Sequence, residues 1–360
     1  MANSSYQIAT TPKLYVSYPL FQYASGALDD YENTDLNGNY DILSDEEMIK
    51  LIQLDPSNQI NIEYVRSLAL RYKITPASDD TTQVLASGLW NFDYLMVLGH
   101  NFHSTEVFAN VMAAPDNNEL LTCSNVVNDC VSEVGNFYPE YDGWSLMNID
   151  NLPSSEDNNV FQFAVENPSI LPESGPMKIG SLLWGKSYQF PVNTQLSTST
   201  KFEYGIKQKS TISGKTISTA NWTKPNNWGT EPFGLTEGEE VDNFTRRSGR
   251  RVWKMSFDSL APDKVMPQNM MMNDNGFNGQ DNHSVAADGT SSLYNINNSE
   301  DFYSSVVHKT LGGHLPMVLQ LDQNDTSPSN FAIVRMNKDF KVQQKSPLLY
   351  TYSITLTEQI

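Results

Sequence analysis

Short apolar runs separated by Gly, Asn, Asp and Pro occupy most of this chain, and this pattern predicts a mainly β protein. In the first half, strands are predicted at residues 92–98 and 160–165, and the segment 177–191 predicts another strand, a turn at Gly185 and an exit at Pro191. The first of these is an unbroken apolar run, which is typical of a buried strand. The second alternates apolar and polar residues with the period of a half-buried strand.

The second half continues the pattern, with strands predicted at residues 202–208, 211–218, 252–257, 316–321, 331–336 and 348–356. Within residues 252–257, Trp253, Met255 and Phe257 point to one side of the strand, so this apolar face must meet a core or a neighbouring protein. The segment at about 266–300 is rich in Asn, Asp, Gly and Met, and it predicts a long loop or an inserted arm.

Two helices are predicted near the beginning of the chain. Ser44 and Glu47 have the spacing of a capping box, and the apolar residues between Met48 and Ile52 form a helical stripe that ends near Pro56. A second helix is predicted at residues 62–72, where Val65, Leu68 and Leu70 supply the apolar positions. We therefore expect a small helical insertion at about residues 30–75.

Together these elements predict a mainly β fold with two β-sandwich, jelly-roll-like domains and a small helical insertion near the N-terminus. A length of 360 residues exceeds what a single hydrophobic core usually organises. We place the boundary just after Pro191, which divides the chain into residues 1–190 and 191–360.

The net charge of the chain argues against nucleic acid as a partner. The chain has 42 acidic and 23 basic residues, a net charge of −19 and a pI near 4.5. A strongly negative protein repels phosphates, so we expect no specific nucleic-acid binding.

The first twenty residues lack a basic segment followed by an apolar one, so we expect no classical secretion, and no apolar run is long enough to predict membrane insertion. Cys123 and Cys130 are close enough in sequence for a small disulfide loop but do not require one.

Four arginines, Arg246, Arg247, Arg250 and Arg251, stand just before Trp253 in this acidic chain. The planar guanidinium suits bidentate contacts with carboxylates, so this cluster and Trp253 predict an interface with the acidic surface of a neighbouring subunit. A solvated turn whose arginines have partners within the same chain is an alternative interpretation, and nucleic-acid contact is a further one.

The segment "DLNGNYDILSDE" has the spacing of an EF-hand calcium loop, with candidate Ca²⁺ ligands at Asp35, Asn37, Asn39, Asp41 and Glu46. It departs from that motif because Tyr40 replaces the turn glycine and Leu43 stands at a ligand position. The alternative is an acidic turn that leads into the capped helix, without a cofactor.

Six segments in order resemble a group of tailed-bacteriophage virion proteins and cover roughly residues 84–360: "FDYLMVLGHNF", "KIGSLLWGKSYQFP", "RRSGRRVWKMSFDSL", "GGHLPMVLQLD", "FAIVRM" and "SPLLYTYSITLTEQ". The resemblance implies a galactose-binding-like jelly roll followed by a β-sandwich of the tail-tube and distal-tail type.

It also implies a structural virion component of the distal tail, tail tip or adaptor region that assembles with copies of itself and with other virion proteins. Such a protein would be made in the host cytoplasm. A capsid decoration or fibre-anchoring protein is an alternative within the same class.

A carbohydrate-binding module for attachment to the host surface is the alternative from a different class. Loops at one end of a jelly roll can bind sugar, and Trp90, Asn101, Tyr138, Tyr141 and Trp144, together with Phe137, are the candidates for glycan contact.

The histidines invite a catalytic or metal-binding interpretation, but they lack fitting partners in the sequence. His100 and His103 have no carboxylate or cysteine at a fitting distance, and no nucleophile motif is present. We therefore expect no enzyme.

Overall fold

The protein is mainly β, as the sequence predicts. The computed structural model describes residues 11–26, 28–34, 42–56, 58–62, 67–74, 92–113, 123–128, 136–150, 160–166, 175–192, 198–219, 228, 249–267, 296, 299–337 and 340–359. Within these ranges, antiparallel β-sheets build three stacked layers.

Two short α-helices lie near the beginning of the chain. α1 (Tyr18–Ser25) starts at Ser17, whose hydroxyl caps the helix, and ends at Gly26 in the left-handed conformation. α2 (Asp45–Ile52) has the predicted capping box: Ser44 Oγ accepts from the Glu47 amide at 3.4 Å, and Glu47 Oε2 accepts from the Ser44 amide at 2.9 Å. The sequence prediction of α2 is therefore confirmed.

The predicted helix at residues 62–72 is wrong, because this part of the chain contains strands β3 (Ile60–Ile62) and β4 (Ser67–Ile74). Leu68, Leu70 and Tyr72 alternate along β4 and are all buried, which is the period of a strand rather than of a helix. A further strand, β2 (Leu28–Thr34), also falls inside the predicted helical insertion, which is thereby reduced to α2.

The first outer layer is a five-stranded sheet in the order β2-β4-β10-β6-β8, and the middle layer is a four-stranded sheet in the order β12-β5-β9-β7, with β11 and β3 paired beside them. The additional strands are β5 (Tyr94–His100), β6 (Phe108–Ala113), β7 (Cys123–Val127), β8 (Asn136–Phe137), β9 (Gly143–Ile149), β10 (Val160–Glu166), β11 (Met177–Ile179) and β12 (Ser181–Gly185). Between these two sheets lies a sandwich core, where Phe161 stacks on Trp184 with ring centroids 3.9 Å apart.

The third layer is an eight-stranded sheet in the order β13-β1-β18-β19-β21-β17-β14, with β20 beside β21. Its strands are β1 (Lys13–Tyr15), β13 (Ser187–Gln189), β14 (Ser199–Glu203), β17 (Arg250–Leu260), β18 (Met317–Gln320), β19 (Phe331–Met336), β20 (Val342–Ser346) and β21 (Leu349–Glu358). β1 joins residues far apart in sequence, since Tyr15 OH donates to Gln320 Oε1 at 2.8 Å.

The middle sheet is buried on both faces, which explains why its first strand reads as an unbroken apolar run. Leu95 and Val97 enter the sandwich core, whereas Tyr94, Met96 and Leu98 pack against the eight-stranded sheet. All seven residues of β5 are buried.

The other face of the eight-stranded sheet is covered by the π-helix Tyr303–His308. As the alternation predicts, Trp253, Met255 and Phe257 point into this core, where they meet Phe302 and Val306. The apolar face of β17 therefore meets a core of its own chain.

The eight-stranded sheet draws on both sides of residue 190, because β1 and β13 pair with each other and β1 pairs with β18. The two-domain division stays a prediction. Both α-helices have only eight residues, and no helix in the described part of the chain has the length and apolarity needed to cross a membrane.

Candidate interaction surface

The most exposed described part of the protein is an arm that leaves the edge of the eight-stranded sheet. We use "the arm" for residues 199–219: the edge strand β14, the linker 204–206 and the hairpin of β15 (Lys207–Ser210) and β16 (Thr216–Thr219). Every residue of the hairpin strands is exposed, and among the described strands β15 and β16 pair only with each other. A two-stranded hairpin alone in water is marginally stable, so this arm is suited to packing on another surface.

Local sequence explains why the arm forms a hairpin. The Thr211 hydroxyl accepts from the Lys215 amide at 3.1 Å, and Gly214 turns the chain with a φ of +80°. The predicted strands at 202–208 and 211–218 are therefore interrupted by the linker and by this turn. At the base of the arm, the Tyr204 ring lies against Gly249, where a side chain would collide with it.

The hairpin has two chemically different faces. Directly paired residues and alternate residues along a strand share a face, so the register Lys207 to Thr219 and Lys209 to Ile217 puts both lysines beside Ile217. Lys215, two residues before Ile217, follows the same alternation. The opposite face carries the uncharged side chains of Gln208, Ser210, Thr216 and Ser218.

No acidic side chain of the described residues forms an ion pair with Lys207, Lys209 or Lys215. The arm as a whole contains four lysines and one glutamate, a net charge of +3 in a chain whose net charge is −19. It is a basic element on an acidic protein.

Large apolar side chains accompany this positive charge. The side chains of Phe202, Ile206, Ile212 and Ile217 are about half exposed or more, and Ile212 at the hairpin turn is fully exposed. Clustered exposed apolar residues next to charges are typical of protein contact sites.

The predicted arginine interface lies next to the arm but is partly used within the chain. Arg246 and Arg247 lie outside the described residues. Arg250 donates to Glu203 of the arm at 3.2 Å, and hydrogen bonds from Lys201 and then Arg250 lower the pKa of Glu203. This pair ties β17 to β14 at the sheet edge.

Arg251 is held within its own chain. Its guanidinium donates to Glu358 Oε1 at 2.8 Å and to the carbonyls of Ser329 and Phe331, and its side chain is only 11 % exposed. Trp253 is buried in the core with the Arg251 guanidinium 4.8 Å from its ring centroid. The expectation that Arg251 and Trp253 belong to an interface is therefore corrected, because both are engaged inside the protein.

The predicted glycan platform is not assembled as expected. Trp144 is completely buried, where its ring packs edge-on against Trp228 and Phe331, so it cannot stack on a sugar. The Asn101 side chain is occupied, because it donates to the Pro176 carbonyl and accepts from the Lys178 amide at 2.7 Å.

Tyr138 is 43 % exposed and Tyr141 is partly exposed, whereas Trp90 and the side chain of Phe137 lie outside the described residues. Of the five glycan candidates, the structure thus leaves these two tyrosines at the surface of the described part.

A residue that the sequence did not single out organises this loop. Asn128, buried and in the left-handed conformation, donates to the carbonyls of Tyr141 and Trp144 and to Ser145 Oγ, and it accepts from the amides of Glu140 and Tyr141. Asn tolerates that conformation better than most residues, which is the only sequence signal for this role.

The histidines have structural partners. His100 Nε2 lies 2.9 Å from Ser145 Oγ, and its ring stacks on Phe102. This resembles a nucleophile and base pair, but both residues are fully buried, and burial lowers the pKa of His100 to about 3. His103 Nδ1 contacts the Pro139 carbonyl at 3.2 Å.

The calcium hypothesis falls mostly outside the described residues. Asp35, Asn37, Asn39 and Asp41 lie there, and so does Tyr40. Glu46 is described: it is exposed in the first turn of α2 and pairs with Lys50 at 3.3 Å. Within the described ranges no three metal-binding side chains come together.

A disulfide between the two cysteines also stays a prediction, since Cys130 lies outside the described ranges. The same is true of most of the predicted loop at about 266–300, of which residues 268–295 and 297–298 are not described.

Comparisons with known proteins identified no relative of this chain. No family model matches the chain, and no curated protein or solved structure matches it with significant similarity.

Proposed function

We propose that this protein is a structural component of a tailed-phage virion, made in the host cytoplasm and placed at the distal tail, tail tip or adaptor region. Its role there is to join neighbouring subunits. The proposal combines the ordered sequence segments that resemble phage virion proteins with one structural observation, the exposed arm of residues 199–219.

The arm supports an assembly role because its hairpin pairs with no other described strand and every residue of its two strands is exposed. Among the described strands, β14 is the last of the eight-stranded sheet, and the hairpin beyond it presents both apolar and charged side chains to solvent. Exposed strand edges are templates for pairing with another chain, and proteins that stay monomeric usually protect them.

The three layers behind the arm support a structural rather than a catalytic role. The middle sheet is closed on both faces by packed side chains, and one of those faces packs against the eight-stranded sheet that carries the arm. The His100 and Ser145 pair is buried within these layers and is neutral at physiological pH. We therefore expect the protein to act through its surface, while the buried pair of His100 and Ser145 contributes to packing.

Antibody labelling of intact phage particles tests the proposal. Antibodies raised against the purified protein should decorate the tail or its tip in electron micrographs. Decoration of the capsid alone would transfer the protein to the decoration class, and absence of the protein from purified particles would refute a virion role.

A further inference from the structure

We propose that the arm of one copy docks onto the acidic surface of residues 28–34 and 42–56 of a second copy, so that copies join head to tail. The inference rests on the proposed assembly role and names its partner: a second copy of this chain. Three observations support it: the opposite charges of the arm and the acceptor, the separation of these two surfaces within one copy, and the size of the arm.

The charge of the arm is opposite to that of its own protein. The arm carries +3, so the rest of the chain carries −22. Three lysines share one face without an acidic partner among the described residues, and a second copy, whose chain outside the arm carries −22, attracts them.

Residues 28–34 and 42–56 are the natural acceptor because they contain seven acidic residues and a single base, Lys50. Glu32, Asp45, Glu46 and Asp55 are described and exposed. β2 also ends the five-stranded sheet, so among the described strands it has β4 as its one neighbour.

The acceptor offers apolar surface as well as charge. Tyr31 on β2 is partly exposed, and Tyr23 at the end of α1, just before the acceptor in the chain, is 41 % exposed. The pKa of Tyr31 is raised first by burial and further by the nearby charges of Asp45 and Tyr23. Aromatic rings beside carboxylates suit a ligand that combines lysines with isoleucines, since Lys binds both carboxylates and ring faces.

The arm and strand β2 of the acceptor lie in opposite outer layers of one molecule. The arm leaves β14 of the eight-stranded sheet, whereas β2 lies in the five-stranded sheet, and the four-stranded sheet lies between these two. Docking therefore joins two copies through different surfaces. Such heterologous contacts close into a ring or continue as a filament.

The size of the arm fits a stable contact. It contains 21 residues, from Ser199 to Thr219, and specific interfaces use about 20–30 residues on each side.

Charge reversal on each surface, followed by mixing, tests this inference in sedimentation velocity experiments on the full chain. The arm variant carries Lys207→Glu, Lys209→Glu and Lys215→Glu, and the acceptor variant carries Glu32→Lys, Asp45→Lys and Glu46→Lys. The control carries Lys254→Glu, Lys264→Glu and Lys341→Glu, three exposed lysines outside the arm.

The wild type and the control should self-associate, and raised salt should weaken that association. Each surface variant alone should associate roughly 100-fold more weakly, because like charges then face each other. An equimolar mixture of the two variants should restore association, because the reversed surfaces attract again. Circular dichroism melting curves identify any variant that has not folded.

A wild type that stays monomeric, or a mixture that stays dissociated when both variants are folded, would overturn the inference. Lysine-dependent retention of duplex DNA, with sedimentation unchanged by the arm variant, would assign the arm to nucleic acid instead. Particle labelling judges the virion role separately, so a tail-bound protein whose arm variant still self-associates would refute the inference alone.

Discussion

Replacement of Arg251 by Ala should be among the most damaging single substitutions in the eight-stranded sheet. The guanidinium makes hydrogen bonds to Glu358 and to the carbonyls of Ser329 and Phe331, and the Glu358 side chain is only 3 % exposed. Without Arg251, the Glu358 carboxylate stays buried without its cationic partner. Breaking a buried ion pair in this way costs about 3–5 kcal/mol of unfolding free energy.

Arg250 provides a matched control, because it is adjacent in sequence and also pairs with a glutamate. Its ion pair with Glu203 is about one-third exposed on both sides and is screened by solvent. Arg250→Ala should therefore change the unfolding free energy by less than about 1 kcal/mol.

Urea unfolding followed by tryptophan fluorescence measures both variants, since Trp253 lies beside Arg251. The double variant Arg251→Met with Glu358→Gln should be more stable than Arg251→Ala, because it leaves no buried charge. Equal unfolding midpoints for Arg251→Ala and Arg250→Ala would refute the argument.

Three further predictions concern buried groups, each measured by chemical unfolding. Burial lowers the pKa of His100 to about 3 in the folded protein, so the stability that depends on its neutral ring is fully present above pH 6.5 and is lost as the pH falls. Relative to His100→Gln, the free energy of unfolding of the wild type should fall by about 2–3 kcal/mol between pH 7 and 4.5. Parallel pH profiles of the two proteins would contradict this. Burial likewise lowers the pKa of Lys309 to about 7, so Lys309→Met should have a higher free energy of unfolding than the wild type at pH 7. This difference should shrink by about 1.4 kcal/mol per pH unit up to pH 9.5, because the buried lysine loses its proton and the wild type becomes more stable. A difference that does not change with pH would argue that the lysine is not buried. Gly185→Ala would place a methyl group 2.3 Å from the Val16 carbonyl oxygen and should lower the free energy of unfolding by about 1–3 kcal/mol. The loss should be smaller for Gly214→Ala, where the methyl group meets open space and only the positive φ is unfavourable. Equal losses would show that the backbone near Val16 moves aside easily.

Much of the β architecture was predictable because each strand buries a regular set of side chains. β19 occupies the predicted residues 331–336, since Phe331 and Ile333 face one core while Ala332 and Val334 face the other. The helix at 62–72 was wrong because Val65 and Leu68 also fit a helical spacing, which a short apolar segment satisfies by chance.

The pairing of distant strands could not be predicted. β1 contributes only three residues to the sheet, and nothing in "KLY" specifies that β13 and β18 lie on either side of it. Long-range pairing depends on the packing of whole sheets, which a pattern within one segment does not contain.

The candidate surface was predicted only in part. The four arginines predicted an interface at the edge formed by β17. Arg251 instead binds Glu358 of its own chain, which lies more than a hundred residues away in sequence and could not be identified as its partner. Strands were predicted at residues 202–208 and 211–218, but their exposure and their role as a candidate surface were not. The absence of acidic residues between positions 204 and 219 was the available signal.

The position of β1 also has a consequence for how the protein is made. Tyr15 leaves the ribosome early, but its partner Gln320 follows 305 residues later, and at about 5–20 residues per second this delay is roughly 15–60 s. During synthesis, the apolar residues beside β1 must wait unpaired or be shielded by chaperones. A prematurely terminated chain would lack β18 and would leave that edge of β1 unpaired, which exposes it to proteolysis.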